Sequence, residues 1–251
     1  MRVAAIYDIH GNLPALEAVL QEIHQEKVDQ IIVGGDVLPG PMPRESLDRF
    51  RNLDTPTHFI YGNGEVAVLR LMAGKEPAVA QPYRPAIRWT AQQLHPEHPQ
   101  WLSTWPKTVA LEIGGLGSVL LCHATPQNEN DVFTRLTPAD RLVPLFEKLN
   151  ATIVVCGHTH MQFDRKIGQT RVINAGSVGM PFGEPGADWL LLGPDVQFRH
   201  TRYDLANAAD RVRSTAYPQA QDFAARNILN PPTEQEMLEI FSRVAFSTNA
   251  K

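Results

Sequence analysis

Cysteine is scarce in this 251-residue chain, which contains only Cys122 and Cys156. Two cysteines cannot form the disulfide framework that stabilises small secreted domains. Long apolar runs are missing as well. None approaches the roughly 18 residues of a membrane-spanning helix, and the apolar run at residues 3–7 is too short for the core of a signal peptide. We therefore expect a soluble, cytoplasmic protein that does not act at a membrane.

Neither sign of charge dominates, since 23 Lys and Arg residues stand against 27 Asp and Glu residues and the formal net charge is −4. Strong non-specific binding to nucleic acids needs a dense basic face, which this balance does not favour. Hydrophobic residues make up 43% of the chain and charged residues 20%, as is typical of a globular protein. No repeat or convincing linker divides the sequence, so we expect a single domain over residues 1–251.

The first 65 residues alternate between short apolar runs and a helical pattern. Residues 2–7, 30–33 and 58–61 are predicted strands, and apolar residues recur at helical spacing between residues 13 and 23. This alternation indicates βαβ units and a parallel sheet, and therefore an α/β fold. In such sheets ligands bind beyond the carboxyl ends of the strands.

The sequence changes character between residues 74 and 106, which contain six prolines and three of the four tryptophans. The prolines predict short helices in an insertion outside the sheet, with the tryptophans used for packing. A hairpin around residues 109–122, a helix at 138–149 and strands up to about residue 200 are expected next. From about residue 204 the pattern is helical. We expect these helices to pack against the rest of the domain or, alternatively, to form the interface of a homo-oligomer.

Polar side chains stand where the predicted strands end. Seven of them can ligate a metal ion: Asp8, His10, Asp36, Asn63, His123, His158 and His160. A single histidine at a strand end is more often a hydrogen-bonded structural residue, but the strand ends of one fold meet at one rim, so we expect the set to converge. Seven ligands exceed the four of a structural zinc site and suit two ions that share a carboxylate. Mixed oxygen and nitrogen donors favour Mn, Fe, Co, Ni or Zn over Ca or Mg.

These residues lie in motifs that resemble those of the calcineurin-like metallophosphoesterases. The motifs are Asp8-Ile9-His10-Gly11-Asn12, Gly35-Asp36, Gly62-Asn63-Gly64-Glu65, His123 and Gly157-His158-Thr159-His160. The similarity spans roughly residues 1–200 and is greatest to the small bacterial and archaeal phosphodiesterases, whose loop after the metal-binding histidines is similar to residues 174–179. The resemblance implies a four-layer αββα sandwich with a two-metal site at its rim.

The resemblance also implies a role for each ligand. Asp8, His10 and His160 are expected to hold one divalent ion, Asn63, His123 and His158 the other, and Asp36 to bridge them. A hydroxide shared by the ions is implied to attack the phosphorus of a phosphate ester in line, so that no Ser or Cys nucleophile is needed. Two divalent ions, two carboxylates and a hydroxide leave a net positive charge, which attracts a phosphate ester. Possible supporting residues are Asn12, Glu65, Asn174 and Ser177.

Gly64 departs from the family motif, which has a histidine there that assists at the leaving group. The phosphodiesterase branch also lacks this histidine and has a cysteine. General acid catalysis is worth about 10² to 10⁴ in rate, and its loss affects phosphomonoesters with poor leaving groups most. We therefore expect a small phosphate ester as substrate, and a phosphodiester in preference to a monoester. If His95 or His98 reaches the site instead, monoesterase activity survives.

Other functions stay open at this point. A metallohydrolase of the β-lactamase or amidohydrolase kind is disfavoured, because its early H-x-H motif is missing and the H-x-H here follows Gly157. A non-catalytic scaffold that binds a phosphorylated ligand or a protein is disfavoured because all seven ligand positions are filled. The absence of the family histidine at Gly64 is the one feature that favours such a scaffold. The substrate candidates include a cyclic nucleotide, a dinucleoside polyphosphate and a phosphoprotein. We expect specificity from residues 74–106 and from the loops after His123 and Ser177.

Overall fold

Short runs rich in Val, Ile and Leu form the strands in the computed structural model of this chain, which describes residues 1–245. The strands are β1 (Val3–Ile6), β2 (Gln30–Val33), β3 (Thr57–Phe59), β4 (Thr108–Ile113), β5 (Gly117–Cys122), β6 (Ile153–Cys156), β7 (Phe163–Ile167), β8 (Thr170–Asn174), β9 (Ala187–Leu192) and β10 (Val196–Thr201). Most are four to six residues long, as is usual in globular proteins.

Amphipathic segments between and after the strands form the helices. They are α1 (Leu13–Glu26), α2 (Pro43–Arg51), α3 (Asn63–Met72), α4 (Arg84–Gln93), α5 (Glu97–Leu102), α6 (Ala139–Phe146), α7 (Leu205–Arg213), α8 (Ala220–Phe223) and α9 (Glu234–Val244). A 3₁₀ turn at Gln81–Tyr83 precedes α4, and a π-helical segment at Ala224–Leu229 continues α8. None of the helices within residues 1–245 combines the length and apolarity needed to cross a membrane.

The strands pair into two five-stranded mixed sheets. The first sheet has the order β10-β9-β1-β2-β3, with β1, β2 and β3 parallel, β9 antiparallel to β1, and β10 antiparallel to β9. The second has the order β4-β5-β6-β8-β7, with β5, β6 and β8 parallel. The three parallel strands of each sheet bring several carboxyl ends to one edge, where their following loops meet.

Alternation of side chains along each strand builds three apolar layers. In β1, Ala4 and Ile6 pack against the helices on the outer face of the first sheet, whereas Val3 and Ala5 face the second sheet. On the far side of the second sheet, Val154 packs with residues of α6. The layers therefore run helix, sheet, sheet, helix, which confirms the expected αββα sandwich.

The segment between residues 74 and 106 forms the 3₁₀ turn, α4 and α5 and contributes no strand. Its tryptophans pack: Trp105 stacks on Phe59 with ring centroids 4.7 Å apart, and Trp101 meets both rings edge-on. The helices expected after residue 204 are α7, α8, the π-helical segment and α9. The last six residues of the expected domain, 246–251, lie outside the described residues.

The layer between the sheets predicts a large difference between two chemically identical substitutions. Leu121 is fully buried between the sheets, whereas Leu136 is 65% exposed. Leu121→Ala should lower the free energy of unfolding by about 2–5 kcal/mol, because it leaves a cavity in a close-packed core. Leu136→Ala should change it by about 0.5 kcal/mol or less. Urea unfolding followed by circular dichroism measures both, and equal midpoints would contradict this packing.

Candidate metal centre

The loops that follow the parallel strands bring the predicted ligands into two groups at one edge of the sandwich. Asp8, His10 and His160 form one group, and Asp36, His123 and His158 form the other. Within each group the candidate ligand atoms lie within 4.8 Å of one another. The first two ligands of the first group follow β1 and the third follows β6, so both sheets contribute to it.

Asn63 and Asp36 complete this arrangement. The Oδ1 atom of Asn63, the first residue of α3, lies 3.0 Å from Nε2 of His123. The two oxygens of Asp36 face different groups: Oδ2 is 3.8 Å from Nε2 of His10, and Oδ1 is 3.6 Å from Nε2 of His123. All seven predicted ligands are therefore brought together, with the Asp36 carboxylate between the two groups.

The backbone at these positions is unusual. Five of the predicted ligands have positive φ angles, between 48° and 66°: Asp8, His10, Asp36, His158 and His160. The sixth such non-glycine residue in the described chain is Lys27, which ends α1. Left-handed residues cost about 1–3 kcal/mol and persist where the surroundings hold them, often at functional sites. Asp and His tolerate this region better than most residues, which suits them to these turns.

Asp8 is the residue that ties the ligand loops together. Its backbone N–H donates to the Gly35 carbonyl at 3.0 Å, and its carbonyl accepts bonds from the Gly179 N–H and the Ser177 hydroxyl at 2.9 and 2.7 Å. Its Oδ2 atom accepts from the backbone N–H of His158 at 2.8 Å. One buried residue therefore fixes the positions of three other loops.

The histidine rings are oriented by backbone carbonyls. Nδ1 of His123 donates to the carbonyl of Gly34 at 2.9 Å, and Nδ1 of His160 donates to that of Met180 at 3.0 Å. With Nδ1 as the donor to a carbonyl, Nε2 is the nitrogen of each ring that is left to face a metal ion. Such contacts to the outer nitrogen are the usual device for aiming a ligand histidine at a metal.

Burial keeps the rings of His10 and His158 neutral. Together with a neighbouring imidazole, that of His160 for His10 and that of His123 for His158, burial lowers the pKa of each ring to about 3. Both rings are therefore uncharged at neutral pH and can offer a nitrogen lone pair.

Burial and neighbouring ionisable groups shift the pKa values of Asp36 and Asp8 in opposite directions. Burial raises the pKa of Asp36 well above its ordinary value, and the nearby carboxylates of Glu65 and Asp8 raise it further. Burial acts on Asp8 in the same direction, but the imidazoles around it, led by His160, outweigh it and hold the pKa of Asp8 below its usual range. Two acidic groups buried this closely favour a cation between them.

The chemistry of the seven predicted ligands fits divalent metal ions. Oδ1 of Asp8 is buried and has no hydrogen-bond partner among the described residues, although an unpaired buried oxygen is costly. No lysine or arginine in residues 1–245 forms an ion pair with Asp8 or Asp36; the basic side chains within 4.0 Å of their carboxylate oxygens are histidines. Carboxylate, amide and imidazole donors together suit transition-metal ions.

The predicted supporting residues hold the ligand loops. Glu65 accepts three backbone N–H bonds, from Asp36 at 2.9 Å, Leu38 at 3.0 Å and Gly62 at 2.7 Å. Its side chain is fully buried and therefore clamps the loop of Asp36 to the start of α3. Burial raises the pKa of Glu65, and these three bonds oppose that effect.

The other three supporting residues act in the same way. Asn12 caps α1 by accepting from the Ala15 N–H, and its amide donates to the Gly179 carbonyl at 2.9 Å. Asn174 donates to the Gly157 carbonyl at 2.6 Å. The Ser177 hydroxyl donates to Asp8, as described above. None of the bonds formed by these side chains involves a predicted ligand atom; they fix the backbone from which the ligands project.

Gly64 has no room for a side chain. A Cβ atom there would overlap the carbonyl oxygen of Leu38 and approach Oδ1 of Asp36 to 3.0 Å. The Gly64 N–H itself donates to Oδ1 of Asp36 at 2.7 Å. The glycine is therefore part of how Asp36 is held, and a histidine at this position does not fit beside the Leu38 carbonyl.

A cavity of about 330 Å³ opens beside the ligands. It is lined by His10, Asp36, Pro39, Asn63, Tyr83, Ala86, His158, His160, Met180, Tyr217, Gln219, Asp222, Phe223 and Asn227. Tyr83 and Ala86 come from the segment where specificity was expected, and Met180 follows Ser177. The loop after His123 contributes none of these lining residues.

This cavity bears on two points that the sequence left open. Neither His95 nor His98 lines it: the buried ring of His98 bonds to Asp48 at 3.0 Å and accepts from the His95 N–H. Conversely, residues 217–227 line it although their apolar spacing indicated only packing or an oligomer surface. Their position beside the metal ligands carries no local sequence signal, because it results from how the helices after β10 pack on the first sheet.

Comparison with known proteins agrees with this geometry. The model of the calcineurin-like phosphoesterase superfamily domain matches residues 1–193, which include all seven predicted ligands. A protein of Methanocaldococcus jannaschii, itself described as uncharacterised, is 27% identical over 239 residues, covering 86% of this chain and 94% of that protein.

Solved structures show the same architecture. A hypothetical protein from Pyrococcus horikoshii has a TM-score of 0.78 at 19% identity and covers 92% of this chain and 99% of that one. A metallophosphoesterase from Sphaerobacter thermophilus has a TM-score of 0.69 at 26% identity and covers 90% of this chain and 98% of that one. The first supports the fold, and the second also bears the name of a metal-dependent phosphoesterase.

Glu65→Gln should loosen the loop of Asp36. A carboxamide has one oxygen, and its NH₂ group would face a backbone donor, so at least one bond is replaced by a repulsive contact. We expect a loss of about 1–3 kcal/mol in the free energy of unfolding. Mn²⁺ affinity, measured by calorimetry, should fall about tenfold or more. Glu112→Gln, on an exposed part of β4, is the matched control and should change neither quantity. Unchanged Mn²⁺ affinity in Glu65→Gln would refute the clamp.

Gly64→His should fail to restore the family histidine. Because the Leu38 carbonyl occupies the space of the Cβ atom, either Leu38 or α3 must move, and Asp36 with it. We expect a lower melting temperature and weaker Mn²⁺ binding, for Gly64→Ala as well as for Gly64→His. Gly114→Ala is the control, since a Cβ atom there meets nothing within 4 Å. A Gly64→His variant as stable as the wild type would show that the space exists.

Proposed function

The chain belongs to the calcineurin-like phosphoesterase superfamily, and we propose that it hydrolyses a small phosphodiester with the help of two divalent transition-metal ions. Metal-dependent cleavage of a phosphoester is what membership of this family supports. The preference for a diester, the number of ions and their identity are inferences from the residues of this chain, and Mn²⁺ is the ion with which we would test them.

Two sets of ligands support two ions. Asp8, His10 and His160 would hold one, and Asn63, His123 and His158 the other. Asp36 would bridge them, because its two oxygens face the two groups. Bound divalent ions lower the pKa of water, so that hydroxide is available at neutral pH, and they neutralise charge on the phosphate.

The side chains of the cavity support direct hydrolysis by water. The residues that line it within the described chain include no Ser, Thr, Cys or Lys, and the histidines and Asp36 among them are assigned to the ions in this proposal. Cys122 and Cys156 are both buried, and burial raises the pKa of each thiol, so neither is poised as a thiolate nucleophile. In this proposal the chain positions the ester and the ions, and water attacks the phosphorus.

The preference for a diester rests on Gly64. The family histidine that assists at the leaving group has no counterpart here, and the Leu38 carbonyl fills the place where its side chain would begin. His95 and His98 do not reach the cavity. Without a general acid of this kind, esters whose leaving group needs little protonation are favoured.

Hydrolysis of bis(p-nitrophenyl) phosphate and of p-nitrophenyl phosphate by the Mn²⁺-loaded protein tests the proposal. We expect faster hydrolysis of the diester, and in Asn63→Ala and His158→Ala a loss of activity of about a hundredfold or more, because each variant removes a ligand. His24→Ala, on the exposed surface of α1, is the matched control and should keep full activity.

Two outcomes would contradict the proposal. Faster hydrolysis of the monoester would overturn the diester preference. No turnover of either ester by a protein that binds its metal ions would favour the non-catalytic alternative, in which the same site only binds a phosphorylated ligand.

A further inference from the structure

The cavity beside the metal ligands has a second wall, built by residues 217–227. Tyr217, Gln219, Asp222, Phe223 and Asn227 all line it. They lie beyond residue 193, where the match to the family model ends.

Packing holds this wall in place. Tyr217 and Phe223 are buried and meet edge-on, with ring centroids 6.2 Å apart. Tyr217 also meets Trp89 of α4 edge-on at 5.3 Å. Val212 and Ile228, on either side of these residues, are buried in the layer that covers the first sheet. The polar residues between them are therefore carried on a fixed support and not on a free tail.

The wall includes an uncommon backbone form. Residues Ala224–Leu229 are π-helical, and the Asn230 N–H closes the segment by donating to the Ala225 carbonyl at 3.0 Å. Such segments are rare and occur frequently at functional sites, where they change the direction of a side chain within a helix. Asn227 lies in the middle of this one, half-buried, and lines the cavity.

The polar groups of the wall have spare hydrogen-bonding capacity. Within residues 1–245, neither the Asp222 carboxylate nor the Asn227 amide has a hydrogen bond or an ion pair. Among the described residues, the Gln219 side chain has only a long contact of 3.5 Å, in which its Oε1 atom accepts from the Tyr217 hydroxyl. No Lys or Arg of the described chain lines the cavity, so Asp222 is a carboxylate without a balancing cation there.

We propose that Gln219, Asp222 and Asn227 form a subsite for the organic substituent of the phosphate ester, and that this substituent is compact and carries ammonium or hydroxyl donors. The inference rests on the proposed phosphoesterase function and specifies its substrate class. An ionised carboxylate only accepts hydrogen bonds, so it favours donors and cations and repels further anionic groups. The cavity volume of about 330 Å³ lies at the low end for ligand sites, which favours a small substituent.

The subsite therefore selects among the substrates that the sequence left open. A dinucleoside polyphosphate would bring further phosphates toward Asp222. A phosphoprotein segment would have to enter a small cavity that is walled on one side by α4 and on another by residues 217–227. A single phosphodiester with a short cationic or hydroxylated substituent satisfies both the volume and the charge.

Four p-nitrophenyl phosphodiesters test the subsite, because they share one leaving group and differ only in the second substituent: aminoethyl, hydroxyethyl, ethyl or carboxyethyl. With the Mn²⁺-loaded wild type, kcat/KM should be highest for aminoethyl, then hydroxyethyl, then ethyl, and lowest for carboxyethyl. Asp222→Asn should reduce the ratio of kcat/KM for the aminoethyl diester to kcat/KM for the carboxyethyl diester about fivefold, as expected for an exposed charge pair of about 1 kcal/mol. Asn227→Ala should reduce the ratio of hydroxyethyl to ethyl. Gln221→Ala, exposed on α8 and outside the cavity, should change neither ratio.

Binding of aminoethyl phosphate, measured by calorimetry, separates this inference from the proposed function. Weaker binding of aminoethyl phosphate to Asp222→Asn than to the wild type supports the subsite, even if no diester is hydrolysed. The absence of diester hydrolysis would refute only the proposed diesterase activity. The subsite would be refuted if the wild type and Asp222→Asn had equal ratios of kcat/KM for the aminoethyl and carboxyethyl diesters and bound aminoethyl phosphate equally well or not at all. That result would leave the proposed hydrolytic function unaffected.

Discussion

The burial of three carboxylates at the joint between two sheets is the constraint on which this structure depends. Asp8, Asp36 and Glu65 are almost entirely withdrawn from water. Buried charge is tolerated only when it is paired or fully hydrogen-bonded. Glu65 meets this need with three backbone N–H groups, whereas one oxygen of Asp8 has no hydrogen-bond partner among the described residues. The imidazoles around Asp8 and Asp36, together with two divalent ions, would supply what the protein backbone does not.

The backbone accommodates this constraint by turning sharply after each strand. Left-handed residues follow β1, β2 and β6, and the histidines and aspartates that adopt this conformation are predicted ligands. Hydrogen bonds from neighbouring loops hold the turns, with Asp8 as the common partner. The rigid core between the sheets therefore matters for function, because it sets the distances between loops that belong to different sheets. Gly64 fits the same scheme: without a side chain it lets α3 approach the Leu38 carbonyl, and its N–H holds Asp36.

Most of the fold, and the convergence of the seven predicted ligands at one edge, can be predicted from the sequence. Apolar runs such as residues 30–33 are bounded by glycine and polar residues, so their length and their ends are visible in the pattern, and the ligands lie at those ends. The third strand is the exception in detail, since it covers Thr57–Phe59 and stops earlier than residues 58–61 suggest. His98 was one candidate for the missing acid, but it bonds to Asp48 in a helical layer away from the cavity, and nothing in its neighbourhood in sequence reveals this.

The wall formed by residues 217–227 could not be predicted, for a physical reason. The apolar spacing of Phe223 and Ile228 indicates a helix that packs on something, but it does not say which surface is covered or which polar residues then face a cavity. That outcome depends on contacts between distant segments, such as Tyr217 with Trp89. The same packing joins the segment around α4 to the C-terminal helices, so that two parts of the chain that are far apart in sequence line the cavity together.

The number of metal ions bound per chain tests the central claim most directly. The protein would be stripped of metal, dialysed to equilibrium against Mn²⁺ and analysed for manganese and protein. Two ions per chain are expected, because two sets of ligands meet at Asp36. One ion or none at saturation would contradict a two-metal centre.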